Sequence, residues 1–227
     1  MKGILFTEPM FHKVVSGEKV MTRRIIKPQP GKDLEIPEEG FINFDGEYCF
    51  GRQRVLIQTV ECRYDDNGKL YQHYSEDIDV DVVNFPVKPR YKPGETLYLK
   101  EPYWSVGNVV QYKYSCGNGV KGFDVESIKW SNKLFMPEKH ARYFIEITGV
   151  RCERLQNIGD EDCLKEGIEE QQWTDYPYNT FYVIPDTTCE LYNAPQEAYA
   201  ALIDSINGKG TWNSNPFVWC YSFKLIK

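Results

Sequence analysis

Alternation of large apolar residues is the feature that most limits how this chain can fold, and it is clearest near the end. From Phe217 every second residue is large and apolar (Phe217, Trp219, Tyr221, Phe223, Leu225), the period of a strand with one buried face. Arg142 to Cys152 repeats the pattern, with Phe144, Glu146 and Thr148 on one side and Tyr143, Ile145 and Ile147 on the other. Leu97 and Leu99 alternate in a shorter strand before Glu101, after a turn over Tyr91-Lys92-Pro93-Gly94. Ile4 to Phe6 and the residues around Tyr112 and Tyr114 add two brief strands. Most of the chain therefore reads as antiparallel strand.

Helices are few and short. Pro9 suits a first helical turn, Met10 with Val14 and Phe11 with Val15 are four apart, and Gly17 supplies a left-handed stop. Asp160 caps a second helix that ends before Gly167, leaving Glu166 at its carboxyl end, where the dipole disfavours an anion. Pro195 to Ile206 is the clearest helix, with Ala198, Leu202 and Ile206 on one stripe and Gly208 as its stop. Trp130 to Pro137 is an irregular connection, and Gln171 to Leu191 is loop with some strand. Because helices and strands do not alternate, the pattern is mainly β with short helices (α+β) and favours a small closed β-barrel over a doubly wound sheet.

Between Pro30 and Pro86 the texture changes. Asp45-Gly46 and Asn67-Gly68 each separate aromatic or β-branched runs, so Phe41 to Val83 reads as two β-hairpins. Ser75 to Val82 alternates acids with apolar residues, as in a strand with one wet face, and lacks the spacing of a calcium loop. Residues 31–86 form a β-hairpin insertion, and 1–30 with 87–227 form the domain that carries it.

The formal net charge of −6 argues against a protein that coats nucleic acid, since such binding needs many cations on phosphates. A nucleic-acid role must then use a local basic patch or a nucleoside pocket. Seven scattered cysteines without a Cys-x-x-Cys pair read as reduced thiols, and three distant histidines give no zinc motif. No metal and no cofactor is expected. No apolar run is long enough to span a membrane, so the expectation is a soluble, cytoplasmic protein without a membrane partner.

Chemistry concentrates in Gly17-Glu18-Lys19-Val20-Met21-Thr22-Arg23-Arg24, where an ammonium, a hydroxyl and two guanidiniums follow the end of the first helix. With Lys19 in the turn and Thr22 at the strand start, their polar ends can converge on one cavity. The plainer reading is a solvated lysine beside a strand threonine.

The arrangement Gly-x-Lys-x-x-Thr-x-Arg after a short N-terminal helix resembles the signature of the ASCH family, relatives of the PUA RNA-binding domains. Further pieces carry the likeness in order: Gly94-Glu95-x-Leu97-Tyr98-x-Lys100-Glu101 before Trp104, Phe135-Met136-Pro137 with Ala141-Arg142, Glu153-Arg154-Leu155-Gln156-x-Ile158, Glu166-Gly167-Ile168, and Trp212-x-x-Asn215-Pro216. The resemblance to longer, phage- or prophage-type members implies a PUA-like β-barrel whose open cleft accepts RNA or a nucleoside. One branch comprises small acetylcytidine amidohydrolases, and Lys19, Thr22 and Glu166 match the lysine, threonine and glutamate assigned to catalysis there. That implies a buried lysine of lowered pKa that deprotonates Thr22, attack of Thr22 on an amide carbonyl, and Glu166 donating a proton or holding the base.

Three functions stand side by side. The first is a binding module for RNA or a modified nucleoside, with Trp104, Trp130 or Trp212 stacking on a base and Arg23 or Arg24 on phosphate or an oxyanion. The second is the amidohydrolase, with Glu101 as a reserve acid. The third is a phage assembly or structural protein, which would show large apolar surface. A basic track from Arg24 favours binding, and a pocket uniting Lys19, Thr22 and Glu166 favours hydrolysis.

Overall fold

The computed structural model describes residues 1–27, 29, 34–35, 42–44, 47–54, 60–64, 70–74, 82–85, 89–115, 129–172, 180–186 and 190–227, with the backbone alone between 34 and 85. In chain order the strands begin with β1 (Lys2–Leu5) and, after helix α1 (Glu8–Ser16), β2 (Met21–Ile25). Six follow in the region read as an insertion: β3 (Leu34–Glu35), β4 (Ile42–Phe44), β5 (Glu47–Arg54), β6 (Val60–Tyr64), β7 (Leu70–Tyr74) and β8 (Val82–Phe85). Then come β9 (Thr96–Lys100), β10 (Tyr103–Val106), β11 (Val109–Tyr112), β12 (Phe144–Arg154), helix α2 (Asp160–Lys165), β13 (Glu169–Gln172) and β14 (Thr180–Val183). The chain closes on helices α3 (Pro195–Asn207) and α4 (Thr211–Ser214) and strand β15 (Phe217–Leu225).

Five strands form the central sheet in the order β1-β9-β12-β15-β2. Three of its pairings are antiparallel, but β1 runs parallel to β9, with Ile4 opposite Leu99. A parallel pair needs a long crossover, and α1, β2 and the region from 31 to 86 lie between these two strands. Among the described residues no pairing joins β1 to β2. The protein is thus β-rich with a few short helices, and its two edge strands are the ones that flank α1.

β15 lies between β12 and β2, and other parts of the chain cover both its faces, since the consecutive residues Phe217, Val218, Trp219, Cys220 and Tyr221 are all buried. The expected one-sided stripe therefore holds only toward its end, and Leu225, where the sheet runs out, is 36% exposed. In β12 Ile145 and Ile147 face the core as the alternation requires. A register shift between Ile147 and Gly149 then moves the pattern by one residue, so that Val150 and Cys152 are buried as well. Met10, Phe11 and Val14 of α1 and Ala198, Tyr199, Leu202 and Ile203 of α3 complete the core. Ile206, expected on the α3 stripe, is instead 49% exposed, one turn beyond the residues that the sheet covers.

Two hairpins lie where the turn dipeptides point. β4 pairs with β5 through Phe44 opposite Glu47, and β6 with β7 through Tyr64 opposite Leu70. β5 also pairs with β3 and β8. The acid-alternating tract up to Asp81 and the Asn118-Gly119 turn lie outside the described residues. β10 with β11 and β13 with β14 are two-stranded ribbons, and Tyr114 belongs to a 3-10 turn rather than a strand. Trp130 to Pro137 contains the 3-10 turn Lys133–Phe135. No helix among the described residues is long and apolar enough to cross a membrane.

Helix ends are set by local rules with one change. Gly17 stops α1 in the left-handed region at φ 82°, where its N–H reaches Val14 O. Asp160 is the first residue of α2 rather than its cap, a place taken by Gly159, so the acids Asp160, Glu161 and Asp162 occupy the first turn. Gly167 follows α2 at φ 102°, and a Cβ there would lie 2.9 Å from the Met10 sulfur. Gly17→Ala meets open space and should lower stability by about 1 kcal/mol, the cost of the left-handed backbone. Gly167→Ala adds the clash with Met10 and should lower it further; urea denaturation of the two variants checks the order.

Candidate functional site

Among the described residues the buried polar or charged ones are Lys19, Thr22, Arg23, Glu101 and Glu166. Burying such groups is costly unless they are paired, so their arrangement carries information. Four of the five meet at one place.

The end of α1 aims Lys19 inward. Past Gly17 the chain turns back, the Lys19 N–H donates to Lys13 O at 2.9 Å, and the Val20 N–H donates to Lys165 O at 3.1 Å, which ties the turn to the end of α2. Lys19 is only 3% exposed, so the solvated-lysine reading does not hold. Its Nζ donates to Glu166 Oε2 at 2.7 Å and also to the Glu166 backbone carbonyl. That carbonyl belongs to the unpaired carboxyl end of α2, where a cation is favoured. Burial pulls the Lys19 pKa below its ordinary value, outweighing the opposing pull of Glu166.

Arg23 and Arg24 are neighbours on β2 with opposite surroundings. The Arg23 guanidinium is buried and saturated with carboxylates: Nε donates to Glu153 at 2.6 Å, Nη2 to Asp162 at 2.8 Å and Nη1 to Glu166 at 3.2 Å. Arg151 completes the network through Glu153 at 3.0 Å and through Asp162. Three cations thus face three carboxylates. Burial works against the Asp162 carboxylate, but hydrogen bonds from Arg23 and the charges of Arg151 and Arg23 together hold its pKa below the usual range. Arg24, by contrast, has no carboxylate partner among the described residues. Its Nη2 donates to Leu5 O at 2.6 Å across the space between the two edge strands, and its guanidinium lies 5.4 Å from the Phe6 ring. Arg24 is therefore the one guanidinium of the site that no carboxylate neutralises among the described residues.

A cavity of about 250 Å³ unites these groups. Lys19, Thr22, Arg23, Arg24 and Glu166 line one side, Leu5, Phe6 and Met10 another, and Tyr199, Leu202, Ile203 and Ile206 of α3 a third. Lys133 also reaches the wall, its Nζ donating to Phe6 O at 2.7 Å. The exposed Ile206 sits here, which gives its departure from the core a place in the site. Sequence reasoning passed over Tyr199. It reads as one more core aromatic on the α3 stripe, but its hydroxyl is buried without a hydrogen-bond partner among the described residues. The signal available was a phenol on an otherwise apolar stripe beside Ala198 and Leu202.

Three other expected site residues lie apart from this cavity. Glu101, 0% exposed, takes a two-pronged ion pair from Arg142 at 2.6 Å on both oxygens. Trp104 lies on β10, opposite Gln111 of β11. Trp212 of α4 packs its ring edge-on against Tyr199, centroids 6.3 Å apart, and is not among the described lining residues. Among the described residues no group of three or more His, Cys, Asp or Glu is placed to hold a metal. The thiols Cys163 and Cys220, near the network, are pushed up by burial to about 12, which keeps them as unreactive thiols.

Compared with known proteins, the chain matches no family model, no curated protein and no solved structure.

The charge network sets an acid dependence. The depressed Asp162 pKa means that its contribution is present above the ordinary value of 3.8 and is lost as pH falls through the folded value. Asp162→Asn should flatten the stability curve below pH 3.8, measured by thermal unfolding across an acid series. Tyr199→Phe should leave stability unchanged or raise it by about 1 kcal/mol, because it removes a buried hydroxyl that has no partner. A loss of about 2 kcal/mol or more would show that the hydroxyl is bonded.

Proposed function

We propose that this protein is an ASCH-like, PUA-related module that binds a modified nucleoside, or a single RNA nucleotide, in the cavity between β1, β2 and α3. The observation that carries the reading is the meeting of Lys19, Thr22 and Glu166, up to 147 residues apart, with Arg24 in one small cavity. A cavity of this size suits a base or nucleoside, not a duplex. Polar groups on one wall and apolar groups on the others match a planar heterocycle with a polar edge. Tyr199 and the other α3 residues offer the apolar wall, and Arg24 offers charge to a phosphate or oxyanion. The sequence likeness to the ASCH signature falls on the same residues, which is why the PUA-like barrel is proposed for the fold as well.

A second reading, hydrolysis of an acyl amide on such a nucleoside, is favoured by the surroundings of Lys19. A neutral amine has two N–H bonds, and Lys19 makes two hydrogen bonds, both to Glu166. When Lys19 gives up its proton, a step that its lowered pKa makes easier, its lone pair is left to accept the Thr22 proton. In this scheme Thr22 Oγ1 attacks the amide carbonyl and Arg24 steadies the oxyanion. The proton held by Lys19 passes to the departing exocyclic amine, and water then cleaves the threonine ester to release the acid.

Binding and turnover should be read on the same samples, with acetylcytidine and other acylated nucleosides as probes. Ile206→Trp, placed at an exposed position of the wall, should weaken binding at least tenfold while the protein stays folded. If the chain is also the enzyme, acetate release should vanish in Thr22→Ala and in Lys19→Ala. Absence of binding to every nucleoside tested, by folded protein, would overturn the proposal.

A further inference from the structure

A second cavity lies on the other side of Arg24. It measures about 380 Å³ and is lined by β1 from Gly3 to Leu5, by the end of β2, and by residues brought in from four further places in the chain. Four cations belong to its lining, Arg24, Lys27, Arg90 and Lys100, and no carboxylate does among the described lining residues. The chain as a whole carries a net charge of −6, so a cavity walled by one sign only runs against its average. Such a cavity focuses potential onto an anion.

The same walls hold aromatic rings. Tyr91, Trp219 and Tyr221 line the cavity, and Tyr91 packs edge-on against Tyr221 with centroids 5.2 Å apart. The Tyr221 hydroxyl accepts from the Arg90 N–H at 3.1 Å, and the Arg90 guanidinium lies 5.4 Å from the Tyr91 ring. Lys100 is held to the rim by its bond to Leu134 O at 2.7 Å. Gly3 makes room for it, since a Cβ at that position would fall 2.3 Å from Lys100 Cε. Glu95, whose charge acts on Tyr91, is itself paired with Lys2 at 2.9 Å.

Leu5, Arg24 and Ile25 line both cavities. Of the five N–H donors of Arg24, one goes to Leu5 O, and the fork spans the wall that separates the two spaces. We propose that this second cavity is a binding site for the phosphate and ring of a nucleotide unit, joined through Arg24 to the nucleoside cavity described above. Arg24 takes the phosphate between the two spaces, Lys27 and Arg90 supply further charge from the exposed rim, and the aromatic floor receives the neighbouring ring. The inference rests on the nucleoside reading of the first cavity. The ligand chemistry is common to a free mononucleotide and to one residue of an RNA strand.

Calorimetric titration with cytidine, cytidine 5′-monophosphate and a cytidine trinucleotide, each into the full chain at low salt, tests it. The monophosphate should bind at least tenfold more tightly than cytidine, and added salt should shrink that advantage. The double variant Lys27→Ala/Arg90→Ala alters two exposed side chains outside the first cavity. It should lose the advantage while keeping its affinity for cytidine. A trinucleotide that binds more tightly than the monophosphate identifies the source as an RNA strand, and one that binds no better identifies a free nucleotide. Equal binding of cytidine and its monophosphate, or an advantage untouched by the double variant, would overturn this second site and leave the first intact. Failure of all three probes would overturn both.

Discussion

The buried pair Lys19–Glu166 is the contact on which the arrangement of this protein turns. Two opposite charges, each less than 5% exposed, persist in an apolar interior only when each has a partner held in place. Lys19 is held by the turn that follows Gly17, and Glu166 by the end of α2 and the left-handed Gly167. The pair therefore joins the α1–β2 junction to a helix that enters the chain some 140 residues later. Arg23 extends the link to β12 through Glu153, and to the first turn of α2 through Asp162. The charge network fixes where α2 sits on the sheet, and so where the cavity opens.

Neighbouring arginines on β2 divide the remaining work because side chains alternate across a strand. Arg23 points into the carboxylates and is neutralised there. Arg24 points to the opposite face, toward β1, where it donates to a backbone carbonyl and lies near an aromatic ring. The edge strands β1 and β2 are not joined by a ladder among the described residues, and the space between them is where both cavities lie. A sheet whose edges stay apart leaves room for a ligand, and the one unneutralised guanidinium spans that room. A charge left without a carboxylate among the described residues in such a position is an invitation to an anion.

Much of the fold was legible from local pattern. Alternation located β9, β12 and β15, the Asp-Gly and Asn-Gly pairs located two hairpins, and glycines marked the ends of α1 and α2. Departures came where distant packing overruled the local period. A register shift in β12 moved its buried face, coverage on both sides buried Val218 and Cys220, and Ile206 left the α3 stripe for the cavity wall. The parallel pairing of β1 with β9 was not legible, because four residues at the start of a chain carry no mark of the strand they will meet.

By itself the sequence determined the residue types of the site and their local setting: a lysine just past a helix stop, a threonine and two arginines on the following strand, a glutamate before a glycine at a helix end. These depend on propensities that act over a few residues. Only the tertiary structure decided that Lys19 is buried against Glu166, that Arg23 is spent on carboxylates while Arg24 is not, that the Tyr199 hydroxyl has no partner among the described residues, and that Glu101, Trp104 and Trp212 lie elsewhere. Burial and charge pairing are set by groups more than 100 residues apart in several of these contacts, and no local pattern records such a meeting.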